Sequence, residues 1–173
     1  MCKRVCRMDK QFTRANGTKV SLCDISTIAA EYILRNPHAA YEITVGTDSQ
    51  NSDKTKMVEV IVIHRIGNGA IFFYRSEWVG LIHSLRQKIQ EETQRSLTIA
   101  DGLLESVEEK LMEHDVCLDD MEVHFRIHCD VGYYGKTKDL IQEIVGWVQS
   151  LGYECCIKPG SYAASTVADK YSK

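Results

Sequence analysis

The order of strand-like and helix-like segments after residue 40 constrains the fold more than any other feature of the sequence. Three apolar segments of strand length come first, and the turn residues IGNG between the second and the third predict a hairpin. Helical and extended segments then alternate through the rest of the chain. The predicted strands are YEITVGTD (41–48), MVEVIVIHR (57–65), AIFFYR (70–75), EVHFRIHCD (122–130) and YECCIKPG (153–160).

This order predicts a mixed five-stranded α/β sheet flanked by helices. Strand–helix–strand connections are right-handed and run their strands in parallel, so the first, fourth and fifth strands should be neighbours, with the hairpin at one edge. The predicted domain spans residues 41–173 and follows an N-terminal arm and helix at 1–40. Residues 1–20 are expected to be irregular, and the next helix is expected to be capped by Asp24 and to end at Pro37.

The size and charge of the chain limit the classes of function. At 173 residues it has room for one domain with a full core. A net charge of -3 and a pI near 6.1 argue against a protein that coats nucleic acid or anionic membranes by bulk electrostatics. The seven cysteines have no disulfide-framework or zinc-site spacing, and no segment reads as a signal peptide or membrane span, so a cytoplasmic protein is expected.

Two aspartates are expected at the same edge of this sheet. Asp48 ends the strand ITVGTD, and Asp130 ends VHFRIHCD, in which apolar and polar residues alternate. Ligands of open α/β sheets bind beyond the carboxyl ends of the parallel strands, and neighbouring strands run about 4.8 Å apart. The two carboxylates should therefore be close enough to share a cation, although a single aspartate at a strand end more often caps a turn.

A glutamate interrupts the apolar face of the long helix predicted from residue 82 to about residue 114. With a turn of about 100° per residue, Glu92 falls inside the stripe that should be buried. A buried glutamate is costly unless it is paired or bound to a metal, so Glu92 is a candidate for the same site. A break in the helix near Thr93 would instead let Glu92 reach solvent. The stripe consists of Leu85, Ile89, Ser96, Ile99, Leu103 and Val107.

A fourth carboxylate lies in the last predicted helix, SYAASTVADKYSK (161–173). Asp169 adjoins the small and apolar residues of this helix, and Ser161 is its predicted N-cap. Because the helix follows the fifth strand directly, it should begin at the same edge of the sheet as Asp48 and Asp130. By itself, an aspartate in this position is more often a solvated surface residue.

Three motifs resemble the YkuK-like family of bacterial proteins, which is grouped with the ribonuclease H-like superfamily. These motifs are VGTDSQ (45–50), HCDVGYYGKTKDLIQEIVGWV (128–148) and KPGSYAASTVADKYSK (158–173), and the resemblance runs from Tyr41 to Lys173. The order of elements and the placement of the four carboxylates are similar to those of the superfamily. The resemblance therefore implies a ribonuclease H-like fold.

The resemblance also implies two-metal phosphodiester chemistry. Carboxylate oxygens suit Mg²⁺ or Mn²⁺, and two such ions about 3.5–4 Å apart activate a water and stabilise the leaving oxygen of an in-line displacement. On this basis Asp48 would bridge both ions. Glu92 and Asp130 would favour the ion near the leaving group, and Asp169 would help to hold the ion that activates water.

Lysines and tyrosines around this edge are candidates for contacts with nucleic acid. Lys136, Lys158 and Lys170 lie on three elements that flank the predicted site and could meet phosphates, and Lys136 begins a predicted helix whose free N–H groups attract anions. Tyr133 and Tyr134 could stack on the bases of a single strand. Ordinary surface lysines and loop tyrosines that cover the core are the alternative interpretation.

Two other motifs are weaker. The segment GYYGKT (132–137) has two residues between its glycines where a P-loop requires four, which excludes an NTPase on this motif. His124 and His128 are four residues apart on one strand face, but no third nitrogen or thiolate lies nearby in sequence, which disfavours a zinc site. His128 is instead a candidate for tuning the neighbouring carboxylates.

Two functions from different classes remain open. The first is a metal-dependent nuclease that hydrolyses phosphodiester bonds of RNA or DNA with Mg²⁺ or Mn²⁺. The second is a non-catalytic nucleic-acid-binding or regulatory protein whose metal site is weak or unused. The four carboxylates favour the first. The acidic balance and the lack of a basic stripe favour the second, or a small or single-stranded substrate.

Overall fold

The computed structural model describes residues 10–161, which form one mixed seven-stranded sheet with the order β2-β1-β5-β4-β3-β6-β7. Neighbours β3, β6 and β7 are parallel, and the other neighbouring pairs are antiparallel. The strands are β1 (Gln11–Arg14), β2 (Lys19–Ser21), β3 (Tyr41–Asn51), β4 (Thr55–Arg65), β5 (Ala70–Val79), β6 (Val123–Gly132) and β7 (Glu154–Lys158). The helices are α1 (Leu22–Leu34), α2 (Leu85–Met112) and α3 (Ile141–Ser150), with short 3-10 helices at Leu118–Asp120 and Lys138–Leu140.

The predicted mixed α/β sheet flanked by helices is confirmed, with two strands more than the five expected. Strands β3 to β7 are the predicted strands, and β3, β6 and β7 are side by side as expected. The extra strands β1 and β2 lie in the segment that was expected to be irregular. They pair with each other, and β1 joins the middle of β5, where Thr13 is opposite Tyr74 and Arg14 is opposite Phe73.

Helix α1 is capped by Ser21 rather than by Asp24, so the predicted cap is wrong. The Ser21 Oγ accepts a hydrogen bond from the Asp24 N–H at 3.1 Å, and the Asp24 carboxylate accepts one from the Ser21 N–H at 2.8 Å. Asp24 is therefore the third helical residue of a capping box. The helix starts earlier than predicted because Leu22, only 2% exposed, packs into the core as a helical residue. It ends at Leu34, before Pro37.

Ser21→Ala is expected to lower the free energy of unfolding by about 1 kcal/mol, because the substitution leaves a helix N–H without its acceptor. Urea denaturation followed by circular dichroism measures the change. Thr27→Ala is the control, since it removes a hydroxyl from the middle of the same helix, where alanine is the better helix former. Equal losses in the two variants would contradict the assignment of Ser21 as the cap.

Helix α2 is the central element on its face of the sheet. It packs across β3 and β6 and also contacts α1 and α3. It continues through Thr93 without a break, and its predicted apolar stripe is buried except for Leu85, the first residue of the helix, which is 36% exposed. Although α2 is 28 residues long, neither it nor any other helix within residues 10–161 has the length and apolarity needed to cross a membrane.

Candidate active site

Glu92 is a buried carboxylate where α2 crosses β3. Its side chain is 4% exposed. The Oε1 atom accepts a hydrogen bond of 2.5 Å from the Ser49 hydroxyl. The Oε2 atom is buried too, but it has no hydrogen-bond partner in the described part of the chain. Burial of a carboxylate oxygen without a hydrogen-bond partner costs free energy. A proton or a cation bound at Oε2 would therefore stabilise the site.

Small polar residues fix the direction in which Glu92 points. The hydroxyl oxygens of Thr47 and Ser96 are 2.9 Å apart, which brings α2 close to β3. Ser49 follows Thr47 on the same face of the strand, and Glu92 precedes Ser96 by one helical turn. The spacing of the two strand residues thus matches the spacing of the two helix residues. This pair of contacts sets the rotation of α2 and aims Glu92 at the end of β3.

The pKa of Glu92 is raised from 4.5 to about 8, chiefly by burial. The hydrogen bond from Ser49 opposes the shift, as does the positive charge of Lys88. The negative charges of Asp48 and Asp130 raise the pKa further. Both aspartates are therefore within electrostatic range of Glu92.

Strand register places Asp48 and Asp130 toward the same end of the neighbouring strands β3 and β6. The parallel ladder between β3 and β6 ends at the pair Gly46 and His128, and each aspartate lies two residues further along its strand. The ladder between β6 and β7 changes register between His128 and Gly132, which marks a bulge around Asp130. Bulges near functional sites re-aim side chains. Both aspartates are half-buried at this edge of the sheet.

Neither aspartate ends its strand as the sequence predicted. Strand β3 continues past Asp48 to Asn51, because its antiparallel pairing with β4 extends to the pair Asn51 and Thr55. Strand β6 continues past Asp130 to Gly132. Asp48 is therefore paired with Val58 of β4, and Asp130 lies in the irregular part of β6 between its paired residues His128 and Gly132, so neither lies on a loop. This restricts their movement more than loop positions would.

Lys158 is part of the same cluster. Its Nζ atom donates a hydrogen bond of 2.5 Å to Asp130 Oδ1. The pKa of Lys158 is raised, first by this hydrogen bond and then by the charges of Asp130, Asp48 and Glu92, while burial opposes the shift. The side chain that was expected to contact phosphate is thus paired with a carboxylate, and its positive charge acts on all three.

The two tyrosines proposed to stack on bases are exposed. Tyr133 and Tyr134 follow β6 directly and have exposed fractions of 68% and 93%. Side chains so exposed do not cover the core. Two further residues proposed from the sequence, Asp169 and Lys170, lie outside the described residues.

The loop after β6 differs from its prediction. Lys136 is exposed, but it does not begin a helix, because α3 starts at Ile141 after a short 3-10 turn. The Thr137 hydroxyl accepts a hydrogen bond of 3.1 Å from the Gly132 N–H and so closes the loop instead of capping α3. The predicted anion site at a helix N-terminus beginning at Lys136 is therefore wrong.

The two histidines of β6 have separate environments. His124 is an exposed partner of Glu154, with 3.0 Å between Nδ1 and Oε1. His128 is buried, and burial lowers its pKa from 6.5 to about 4, with Arg126 adding to the shift and Glu42 opposing it. Within residues 10–161, no three His, Cys, Asp or Glu side chains are arranged as ligands of one metal ion.

The sequence analysis missed two residues, one that contacts Glu92 and one on the neighbouring part of the sheet. The first is Ser49, which the alternation of ITVGTDSQ places on the face opposite to Asp48, where a helix must pack. The second is Trp78, which is 57% exposed and has Lys56 Nζ at 5.9 Å from its ring centroid. The exposure of Trp78 is a property of the structure, and the sequence carries no signal that would have distinguished it from a core residue of β5.

The chain has relatives among known proteins. The family described as Ribonuclease H-like matches residues 24–173. A relative named uncharacterized protein YkuK, from Bacillus subtilis (strain 168), is 33% identical over 168 residues, which cover 94% of this chain and 96% of the relative. A solved structure of the Mos1 transposase catalytic domain and raltegravir with Mn has 11% identity and a TM-score of 0.30, and the match covers 78% of this chain and 57% of that chain. The family match and the similarity to YkuK together show that the chain belongs to the ribonuclease H-like family.

Proposed function

We propose that this protein is a metal-dependent nuclease that hydrolyses phosphodiester bonds of RNA or DNA. The observation that carries the proposal is the buried, unpartnered Oε2 of Glu92 beside Asp48 and Asp130. Three carboxylates repel one another when they are ionised together, and a divalent cation removes that repulsion. Membership of the ribonuclease H-like family supports a role connected with nucleic acid.

The donor atoms fit Mg²⁺ or Mn²⁺. Such hard cations take carboxylate oxygens as ligands, and Asp48, Glu92 and Asp130 offer only oxygen. Asp169, in the last segment of the sequence, is proposed as the fourth ligand. When bound, the ions would supply a nucleophilic water and charge stabilisation for the leaving oxygen. The Ser49 hydroxyl has a positioning role, since its hydrogen bond holds Glu92 Oε1 and leaves Oε2 for the cation.

The proposed substrate is a single strand. Tyr133 and Tyr134 are exposed next to the carboxylates and can stack on successive bases, whatever the sequence. Lys136, Lys158 and Lys170 are the proposed phosphate contacts. The net charge of -3 offers little attraction to a long duplex, so local contacts have to supply the affinity. The described cysteines are free thiols, which suits a reducing cytoplasm.

One observation favours a second candidate, a nucleic-acid-binding protein with an unused metal site. Lys158 already neutralises Asp130 through its hydrogen bond of 2.5 Å. A cluster that holds its own cation can be a structural ion pair and need not bind metal. The two candidates differ in one measurable property, because only the nuclease requires Asp48 for metal-dependent cleavage.

Asp48→Asn is expected to reduce Mn²⁺-dependent cleavage of a labelled single-stranded oligonucleotide by about a hundredfold or more, because a metal ligand loses its charge. RNA, an RNA:DNA hybrid and single-stranded DNA are compared in gel assays, and calorimetric titration measures Mn²⁺ binding in the presence of the oligonucleotide. Asp53→Asn is the control, since it makes the same change on an exposed residue of the β3–β4 turn. Oligonucleotide binding without cleavage in the parent would favour the second candidate.

A further inference from the structure

We propose that Lys158 occupies the cation position of this site in the absence of nucleic acid, and that a substrate phosphate draws its ammonium group away so that divalent metal can bind. The proposal rests on the proposed function and adds a regulatory step to it. Metal and substrate would then bind cooperatively. The ion pair between Lys158 and Asp130 would be the element that couples them.

The ion pair occupies one of the three carboxylates before any metal binds. Lys158 Nζ is 2.5 Å from Asp130 Oδ1, a distance at which that oxygen is committed to the ammonium group. No three ligand side chains within the described range 10–161 are placed to hold one ion. Yet Glu92 Oε2 is buried and unpartnered beside them, so one monovalent cation does not satisfy the whole cluster. Once Lys158 has moved away, the negative charge of the carboxylates therefore suits a divalent ion.

The backbone builds Lys158 into this position. Lys158 is paired in register with Gly132 at the end of the bulge in β6. A Cβ atom on residue 132 would lie 3.0 Å from the Cβ of Lys158, tighter than most Cβ contacts, so a larger residue at this position would require Lys158 or its strand to shift. Strand pairing therefore fixes the backbone position of Lys158.

Exposure lets a phosphate reach this lysine. The Lys158 side chain is 52% exposed and that of Asp130 is 32% exposed, so the ammonium group can turn from the carboxylate toward a ligand in solvent. A phosphate oxygen is an equivalent charged acceptor for the same donor. By thermodynamic reciprocity, whatever factor nucleic acid adds to metal affinity, metal adds to nucleic-acid affinity.

Calorimetric titration with Mn²⁺ tests the proposal without relying on activity. Lys158→Met should bind Mn²⁺ about tenfold more tightly than the parent when nucleic acid is absent, because the competing charge is gone. A short single-stranded oligothymidylate should tighten Mn²⁺ binding by the parent and leave that of Lys158→Met nearly unchanged. Lys158→Arg, which keeps the charge, and Lys138→Met, which removes an exposed lysine of the 3-10 turn before α3, should both behave like the parent.

Each outcome has a defined meaning. Equal or weaker Mn²⁺ binding by Lys158→Met, relative to a parent that binds measurably, would overturn the role of Lys158 and leave the proposed nuclease intact. Absence of Mn²⁺ binding in every variant, with and without the oligothymidylate, would overturn both proposals. Thermal unfolding of each variant verifies that the fold is retained, as expected for a substitution at a half-exposed position.

Discussion

Glu92→Gln is expected to make the protein more stable than the parent above about pH 8. In the folded parent, burial raises the pKa of Glu92 from 4.5 to about 8, whereas the same carboxyl in the unfolded chain ionises near 4.5. Between these values the folded state holds a proton that the unfolded state has released, so the free energy of unfolding falls as the pH rises. Glutamine has no proton to lose, and the variant escapes this fall.

The expected size follows from the shift in pKa. One pKa unit corresponds to about 1.4 kcal/mol, so a rise from 4.5 to about 8 corresponds to roughly 5 kcal/mol if the burial of Glu92 is maintained. Local relaxation and entry of water reduce the penalty, and a difference of about 2–5 kcal/mol between variant and parent is expected on the alkaline side. Below about pH 4.5 the two proteins should be nearly equal in stability.

Urea unfolding in metal-free buffer across this pH range measures the effect. Glu109→Gln makes the same chemical change at an exposed position of α2 and should follow the parent. Mn²⁺ supplies a second readout, since it should stabilise the parent at alkaline pH by compensating the ionised Glu92 and should stabilise Glu92→Gln much less. Parallel pH profiles for the parent and Glu92→Gln would show that Glu92 is not held as an uncompensated carboxylate.

Glu59→Ala is expected to lower the free energy of unfolding by about 3–5 kcal/mol. The Glu59 side chain is 1% exposed and accepts hydrogen bonds from Arg75 at 2.7 Å and from Arg95 at 3.2 Å. Lys10 adds a third contact at 3.4 Å. Removal of the carboxylate would leave two largely buried guanidinium groups without their buried acceptor, and this is more costly than the lost contacts alone.

Glu77→Ala provides the matched control for this network. Glu77 contacts the same two arginines, but its side chain is 41% exposed, so water can replace it. The expected cost is about 1 kcal/mol or less. Guanidinium chloride would screen the charges, so urea is the denaturant for both variants. If the two variants lose similar amounts of unfolding free energy, the burial of Glu59 does not determine its contribution to stability.

The sequence predicts those parts of the fold that depend on local periodicity. The five longer strands and α2 were found because alternation and helical spacing are visible within a single segment. Strands β1 and β2 were missed because they are four and three residues long and exist through pairing with β5 and with each other. The α1 cap was misplaced because Ser21 and Asp24 are both good caps, and only the burial of Leu22 decides between them.

Within the candidate site, too, some features follow from local sequence patterns and others depend on tertiary structure. The position of Glu92 on the buried stripe of α2 followed from its angle around the helix, and its burial is confirmed. The adjacency of β3 and β6, the strands that carry Asp48 and Asp130, followed from the order of the strands. The pairing of Lys158 with Asp130 could not be read from the sequence, because it depends on the change of register in β6 and on the space beside Gly132. The roles proposed for these residues remain predictions.

The N-terminal hairpin of β1 and β2 has a consequence for self-association. Without it, β5 would present ten residues of open backbone at the side of the sheet, a template onto which another chain could add. Because β1 pairs with the middle of β5 at Thr13 and Arg14, an incoming strand cannot run continuously along it. The outermost strands of the described sheet are then β2 and β7, with three and five residues, and such short strands protect the protein against edge-to-edge aggregation.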